Sequence, residues 1–223
     1  MTKSFPKHLS GVLFDLDGTI LDTAGDLGGA INYVLRKHNL PELTEAVYRP
    51  VVSDGALGLI TLGFGDKLKD FDYQTLREEL LEYYEKNLSQ NTFLYEGMAT
   101  LLAKLDKRKI PWGIVTNKPE GLSKLLVPNY PELTTSGVLV GGDTLAKRKP
   151  DPEPLIYAAQ KLEIEPTQCL YIGDAPRDID AGNAAGMFSI AAKWGYILDK
   201  SVCDEWQADM LAETPEEITA IIL

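Results

Sequence analysis

Short apolar runs recur along this chain. They cover residues 11–14, 112–116, 138–140, 169–172 and 188–192, with a weaker one at 209–211. Each is too short for a helix and ends in polar or turn-forming residues, which predicts buried strands. Between them, apolar positions fall at helical spacing. Residues 100–107 alternate leucine with charge, 120–126 follow Pro119, and 154–162 follow a cluster of prolines. Proline in the first turn is a helix start signal. Strands alternating with helices predict an α/β fold, a doubly wound parallel sheet covered on both faces. Such sheets place their sites at the carboxyl ends of the strands.

From residue 22 to about residue 91 the rhythm breaks. Helical periodicity runs over 27–38 and 73–88, where Leu76, Leu80, Leu81, Tyr84 and Leu88 share one face, and no strand pattern intervenes. Gly55, Gly58, Gly63 and Gly65 punctuate the middle. A helical insert of this size after the first strand predicts a second, smaller domain. The expected division is 1–20 with 92–223 for the α/β core, and 21–91 for the helical domain. The tail, 201–223, predicts a strand and a helix that close the sheet's cover.

Composition narrows the class. The 223 residues are 44% hydrophobic and 25% charged, ordinary values for a globular protein with its own core. The formal charge of −11 repels phosphate backbones and argues against nucleic acid as a partner. An anionic ligand therefore needs a local reversal of sign. Cys169 and Cys203 are too few and too far apart for a metal cluster or disulfide framework and fit a reducing compartment. The first ten residues hold no apolar run, and nothing approaches the length of a membrane span. These features predict a cytoplasmic protein.

Four segments carry the chemistry. Asp15-Leu16-Asp17-Gly18-Thr19 ends the first strand. Residues i and i+2 of a strand point the same way, so both carboxylates face one crevice, where they repel unless a cation or proton is shared. The match arises by chance at about one position in 10⁵. The same residues also suit an Asp-Gly turn with a threonine helix cap. Gly173-Asp174-Ala175-Pro176-Arg177-Asp178 follows the 169–172 strand and offers a second acidic pair, completing the oxygen-rich site that Mg²⁺ prefers. Alone, it also reads as a common Gly-Asp turn.

Thr116-Asn117-Lys118-Pro119 offers a hydroxyl and an amide ahead of a helix N-terminus, suited either to phosphate oxygens or to plain capping. Lys149, before Pro150-Asp151-Pro152, is rigidly aimed and makes a point-charge partner for phosphate; basic runs such as 107–109 are otherwise solvated surface. Other chemistries lack their residues. There is no Gly-x-Ser-x-Gly elbow and no Cys-x-x-Cys, and the two histidines are His8 and His38, the latter expected to be solvated or half-buried. Gly58 and Gly63 have P-loop separation, but Phe64 stands where its lysine belongs.

In this order the four segments resemble the motifs of the haloacid dehalogenase superfamily over nearly the whole chain, and the helical insert resembles its cap domain. The resemblance implies a Rossmann-like core and an Mg²⁺-dependent hydrolase of a small phosphorylated metabolite. Asp15 resembles the nucleophile and Asp17 the general acid/base. Thr116, Asn117 and Lys149 match phosphate-binding positions, and Asp15, Asp17, Asp174 and Asp178 match the metal site, Asp17 through its main-chain carbonyl. An aspartate two residues past the nucleophile favours phosphate ester hydrolysis over dehalogenation.

Asp-Gly-Thr followed by Leu21-Asp22-Thr23 resembles the phosphoglycolate phosphatase group. The stretches 112–119, 149–154, 177–179 and 195–197, followed by Trp206, look most like its bacterial N-acetylmuramic acid 6-phosphate phosphatases. Ser53, Asp54 and Gly55 are the candidate substrate-reading loop. Asp54 departs from the small residue expected there, and either points away or reads a hydroxyl. A sugar-phosphate mutase and a non-catalytic relative remain alternatives, and the chain is expected to be a monomer or homodimer without a membrane or nucleic-acid partner.

Overall fold

Gly-Val-Leu-Phe and the other short apolar runs bury both faces of their strands, as a parallel sheet between helical layers requires. In the computed structural model, which describes residues 3–222, the strands are β1 (Gly11–Phe14), β2 (Leu21–Asp22), β3 (Phe93–Leu94), β4 (Trp112–Val115), β5 (Leu139–Val140), β6 (Cys169–Gly173), β7 (Phe188–Ala192) and β8 (Met210–Ala212). Six of them form one parallel sheet in the order β5-β4-β1-β6-β7-β8, and β2 and β3 form a two-stranded ribbon.

The chain builds outward from β1 to β4 and β5, then crosses to β6 on the other flank, so the order of winding reverses beside β1. Open α/β sheets form their crevice at such a switch. Register aligns the relevant ends: Phe14 lies level with Ile114 of β4 and Ile172 of β6.

Contacts divide the chain into two units, one formed by residues up to Leu21 and from Leu94 onward, the other by Asp22–Phe93. Residues 1, 2 and 223, expected in the α/β core, lie outside the described residues. In the α/β unit the helices are α5 (Met98–Arg108), α6 (Glu120–Leu126), α7 (Glu153–Lys161), α8 (Pro176–Ala184) and α9 (Pro215–Ile222). The β5 strand is one residue shorter than the 138–140 run, although the carbonyl of Val138 still accepts from Ile114 N–H at 2.9 Å. The last strand starts one residue later than expected. There the Asp209 carboxylate, rather than its backbone, takes the Ser189 N–H at 3.0 Å.

The second unit is helical: α1 (Ala24–Lys37), α2 (Glu45–Tyr48), α3 (Gly55–Phe64) and α4 (Tyr73–Lys86), with 3₁₀ turns at Arg49–Asp54 and Gly65–Asp70. Leu76, Leu80 and Tyr84 of α4 are buried, whereas Leu81 is half-buried and Leu88 lies past the helix end. Ile31, Leu35, Leu59 and Ile60 are buried in the same unit. His38 is half-buried, 2.9 Å from Glu79 Oε2, with the edges of Phe64 and Phe71 against its ring. Among the described residues no helix is long and apolar enough to cross a membrane.

Candidate active site

Three aligned strand ends and one loop assemble the site within the α/β unit. Asp15 directly follows β1, and its N–H donates to the Ile172 carbonyl of β6 at 2.9 Å. Leu16 is fully buried, and the chain then turns back at Gly18, whose N–H donates to Leu21 O at 2.8 Å. Gly18 has φ +85°, and a Cβ there would overlap the Asp174 carboxylate. Only glycine satisfies both demands, and its absent side chain lets the two acidic segments touch.

Asp174 directly follows β6 and is buried, with Oδ2 accepting from Tyr196 N–H at 3.0 Å. Desolvation, reinforced by Asp15 and Asp178, pushes its pKa up to about 7. Asp178 sits in the first turn of α8, where Oδ2 accepts from Ala175 N–H at 3.1 Å and caps the helix. It is wholly inaccessible, and burial raises its pKa although Lys149 opposes the shift.

Lys149 is 2% exposed, and a buried ammonium is tolerable only when its protons are matched. Its Nζ lies 2.8 Å from Asp15 Oδ1, 2.7 Å from Asp178 Oδ1, 2.8 Å from Val115 O and 2.9 Å from the Tyr171 hydroxyl. The Tyr171 proton lies between Val115 O, at 3.1 Å, and Asp178 Oδ1, at 3.2 Å. Burial, then the Asp178 charge, keeps that phenol protonated by raising its pKa well above the ordinary value.

The carboxylates of Asp15, Asp174 and Asp178 each bring an oxygen to within 4.8 Å of the others. The Asp17 side chain turns elsewhere, with Oδ1 accepting from Lys118 Nζ at 2.9 Å. Four carboxylates against two ammonium groups leave these six residues a formal charge of −2, which one divalent cation cancels. All-oxygen donors at this spacing suit a hard ion such as Mg²⁺.

The other expected residues fall in different places. Thr116 ends β4 and is buried, but its hydroxyl accepts from Lys118 N–H at 3.2 Å, within its own turn. Asn117 Nδ2 donates to the Lys149 carbonyl at 2.9 Å and ties that turn to the lysine's loop. Ser53 and Asp54 end a 3₁₀ turn in the helical unit, and Gly55, with φ +64°, opens α3. Sequence reasoning gave no role to Tyr171 or Lys118. Tyr171 was detectable as the hydroxyl-bearing residue of an otherwise apolar strand, two positions before Gly173-Asp174.

Comparison with known proteins identifies the family. The family model described as haloacid dehalogenase-like hydrolase matches residues 12–192. The chain is 44% identical over 214 residues to a phosphoglycolate phosphatase of Xanthomonas campestris pv. campestris, covering 96% of this chain and 95% of that one. It is 36% identical over 215 residues to an N-acetylmuramic acid 6-phosphate phosphatase of Pseudomonas putida, covering 96% of each. The crystal structure of a predicted phosphoglycolate phosphatase from Haemophilus somnus superposes with a TM-score of 0.85 at 25% identity, over 96% of this chain and 98% of the other. With a matched domain that spans both flanks of the central strand, and relatives matched over nearly all of both chains, the chain belongs to the haloacid dehalogenase-like hydrolase family.

Proposed function

We propose that the chain is an Mg²⁺-dependent phosphomonoesterase that works through a phospho-aspartate on Asp15. The observation that carries the reading is the clustering of Asp15, Asp174 and Asp178 around Lys149 at the ends of β1 and β6. Asp15 Oδ1 is held by Leu16 N–H and by Lys149, both at 2.8 Å, which fixes the plane of the carboxylate. Its second oxygen attacks phosphorus, the P–O ester bond breaks, and a carboxyl oxygen of Asp17 gives its proton to the leaving alkoxide. A water molecule then attacks the phosphorus of the acyl phosphate while Asp17 takes its proton, releasing inorganic phosphate and restoring Asp15.

Lys149 spreads positive charge over the phosphoryl oxygens throughout, and Asp178 and Tyr171 hold it there. Asp15, Asp174 and Asp178, with the main-chain carbonyl of Asp17, are the groups that would hold Mg²⁺, which when bound neutralises charge on the transferring phosphoryl group. Thr116 and Asn117 complete the phosphate-facing rim in this reading. The helical unit acts as a cap, with Ser53, Asp54 and Gly55 as its substrate-reading loop. The reading includes a cytoplasmic location, supported by two buried free thiols.

The relatives' names supply two trial substrates, 2-phosphoglycolate and N-acetylmuramic acid 6-phosphate. Phosphate release with Mg²⁺ is expected from at least one of them, and Asp15→Asn is expected to lower it by about 10³-fold or more. Undiminished release by Asp15→Asn in a clean preparation refutes the nucleophile assignment.

A further inference from the structure

We infer that Lys118 reads a carboxylate on the leaving alcohol, so that the preferred substrate is a short phosphomonoester with an acid group on the carbon next to the ester carbon. The inference rests on the phosphatase reading and deepens it.

The α/β unit places two nearly buried lysines beside the Asp15–Asp17 pair, one for each carboxylate. Lys149 belongs to the phosphoryl side, held by Asp15 and Asp178. Lys118 stands on the other side. Its side chain is 6% exposed, and its Nζ is 2.9 Å from Asp17 Oδ1, whose own side chain is 16% exposed.

An ammonium placed so far out of water costs more than one left at the surface. Lys118 is also not needed to hold its own turn, because its main chain does so: N–H to Thr116 Oγ1 at 3.2 Å and carbonyl to Gly142 N–H at 2.8 Å. The side chain extends to the charge at Asp17.

Position then selects the ligand. Asp17 must reach the ester oxygen to protonate it, so that oxygen lies about two hydrogen-bond lengths, roughly 6 Å at most, from Lys118 Nζ. A carboxylate on the adjacent carbon of the alcohol falls inside this span and can share the ammonium with Asp17. A carboxylate many bonds away on a sugar ring falls outside it. A neutral alcohol leaves the ammonium's charge unused by the substrate. In a chain of net charge −11, such a desolvated cation gives an anionic alcohol a local site of opposite sign.

The test compares 2-phosphoglycolate with ethyl phosphate, which has the same chain length without the acid group, in the full-length protein with Mg²⁺. The wild type is expected to prefer 2-phosphoglycolate in kcat/KM. Lys118→Met is expected to cut that ratio by about 10- to 100-fold, the worth of one charge-assisted hydrogen bond. Lys118→Arg should keep most of it. Lys118→Gln, which still hydrogen-bonds Asp17, should lose it as Met does, and stands in if the Met variant fails to fold.

A ratio unchanged in Lys118→Met and Lys118→Gln overturns the inference, whether or not both substrates slow down together, since an equal loss means that Lys118 serves Asp17 alone. Release from N-acetylmuramic acid 6-phosphate but from neither of these compounds overturns the inference; if that sugar phosphate is not hydrolysed either, the phosphatase reading fails separately. Calorimetric binding of the same two compounds to Asp15→Asn, with and without Lys118→Met, then still decides the role of Lys118. Equal affinities in both proteins overturn it.

Discussion

Replacing Asp174 with asparagine should make the metal-free protein more stable, although the residue sits at the centre of the site. Its carboxyl is pushed from 3.8 to about 7 by burial and by the charges of Asp15 and Asp178. In the unfolded chain it titrates near its ordinary value. Below pH 4 both states hold the proton and the group costs nothing. From there to about pH 7 the unfolded chain releases a proton that the fold retains, so stability falls as pH rises. About three pH units at roughly 1.4 kcal/mol each give a ceiling near 4 kcal/mol above pH 7.

Asp174→Asn removes the ionisation, keeps the volume and keeps an oxygen for the Tyr196 N–H. In EDTA at pH 8 the variant should melt roughly 5–10 °C above the wild type, and the gap should close by pH 4. Adding Mg²⁺ should raise the wild type and leave the variant unmoved. The measurement is a set of calorimetric melts over that pH range, with and without metal. A variant that melts at or below the wild type in EDTA at pH 8, or a gap that ignores pH, refutes the argument that this carboxylate is destabilised by its surroundings.

Two further changes test the supports of the site. Tyr171→Phe removes one of the four oxygens around Lys149 Nζ and a hydroxyl that Asp178 shares; urea unfolding should show a loss of about 1 kcal/mol, and kcat/KM should fall about 3- to 10-fold. Gly18→Ala puts a Cβ into the Asp174 carboxylate at a φ of +85°; the fold should lose about 1–3 kcal/mol, and titration should show Mg²⁺ binding at least about tenfold weaker.

The sheet was legible because fully buried parallel strands must be short apolar runs, and because polar or turn-forming residues mark where each run stops. Asp15 and Asp174 could be placed at strand ends for the same reason. Helix α8 was not legible: Asp178, Asp180 and Asn183 break its apolar periodicity, and it begins from Pro176 and the Asp178 cap instead. The 3₁₀ turns of the helical unit and the two-residue ribbon are too short to leave a periodic trace.

Within the site, residue types were readable but directions were not. The turning of Asp17 toward Lys118, of Asn117 toward the Lys149 carbonyl, and of Asp178 toward both Lys149 and Tyr171 depends on partners that the fold, not the local sequence, brings near, as with Lys118, which lies 101 positions from Asp17. No local pattern encodes those choices.

The central placement of β1 has a consequence for how the protein is made. Its partners are β4 and β6, and its first residue, Gly11, pairs with Cys169. A nascent chain emerges with an apolar strand, followed by two acidic side chains, long before the second of those partners exists. At typical synthesis rates of about 5–20 residues per second, the wait is on the order of ten seconds. Until β6 arrives, the strand that becomes the middle of the sheet has an open edge and can be captured by other chains or by chaperones. Metal-binding competence should accordingly appear only at the end of synthesis or refolding, as a signal that the last flank has closed.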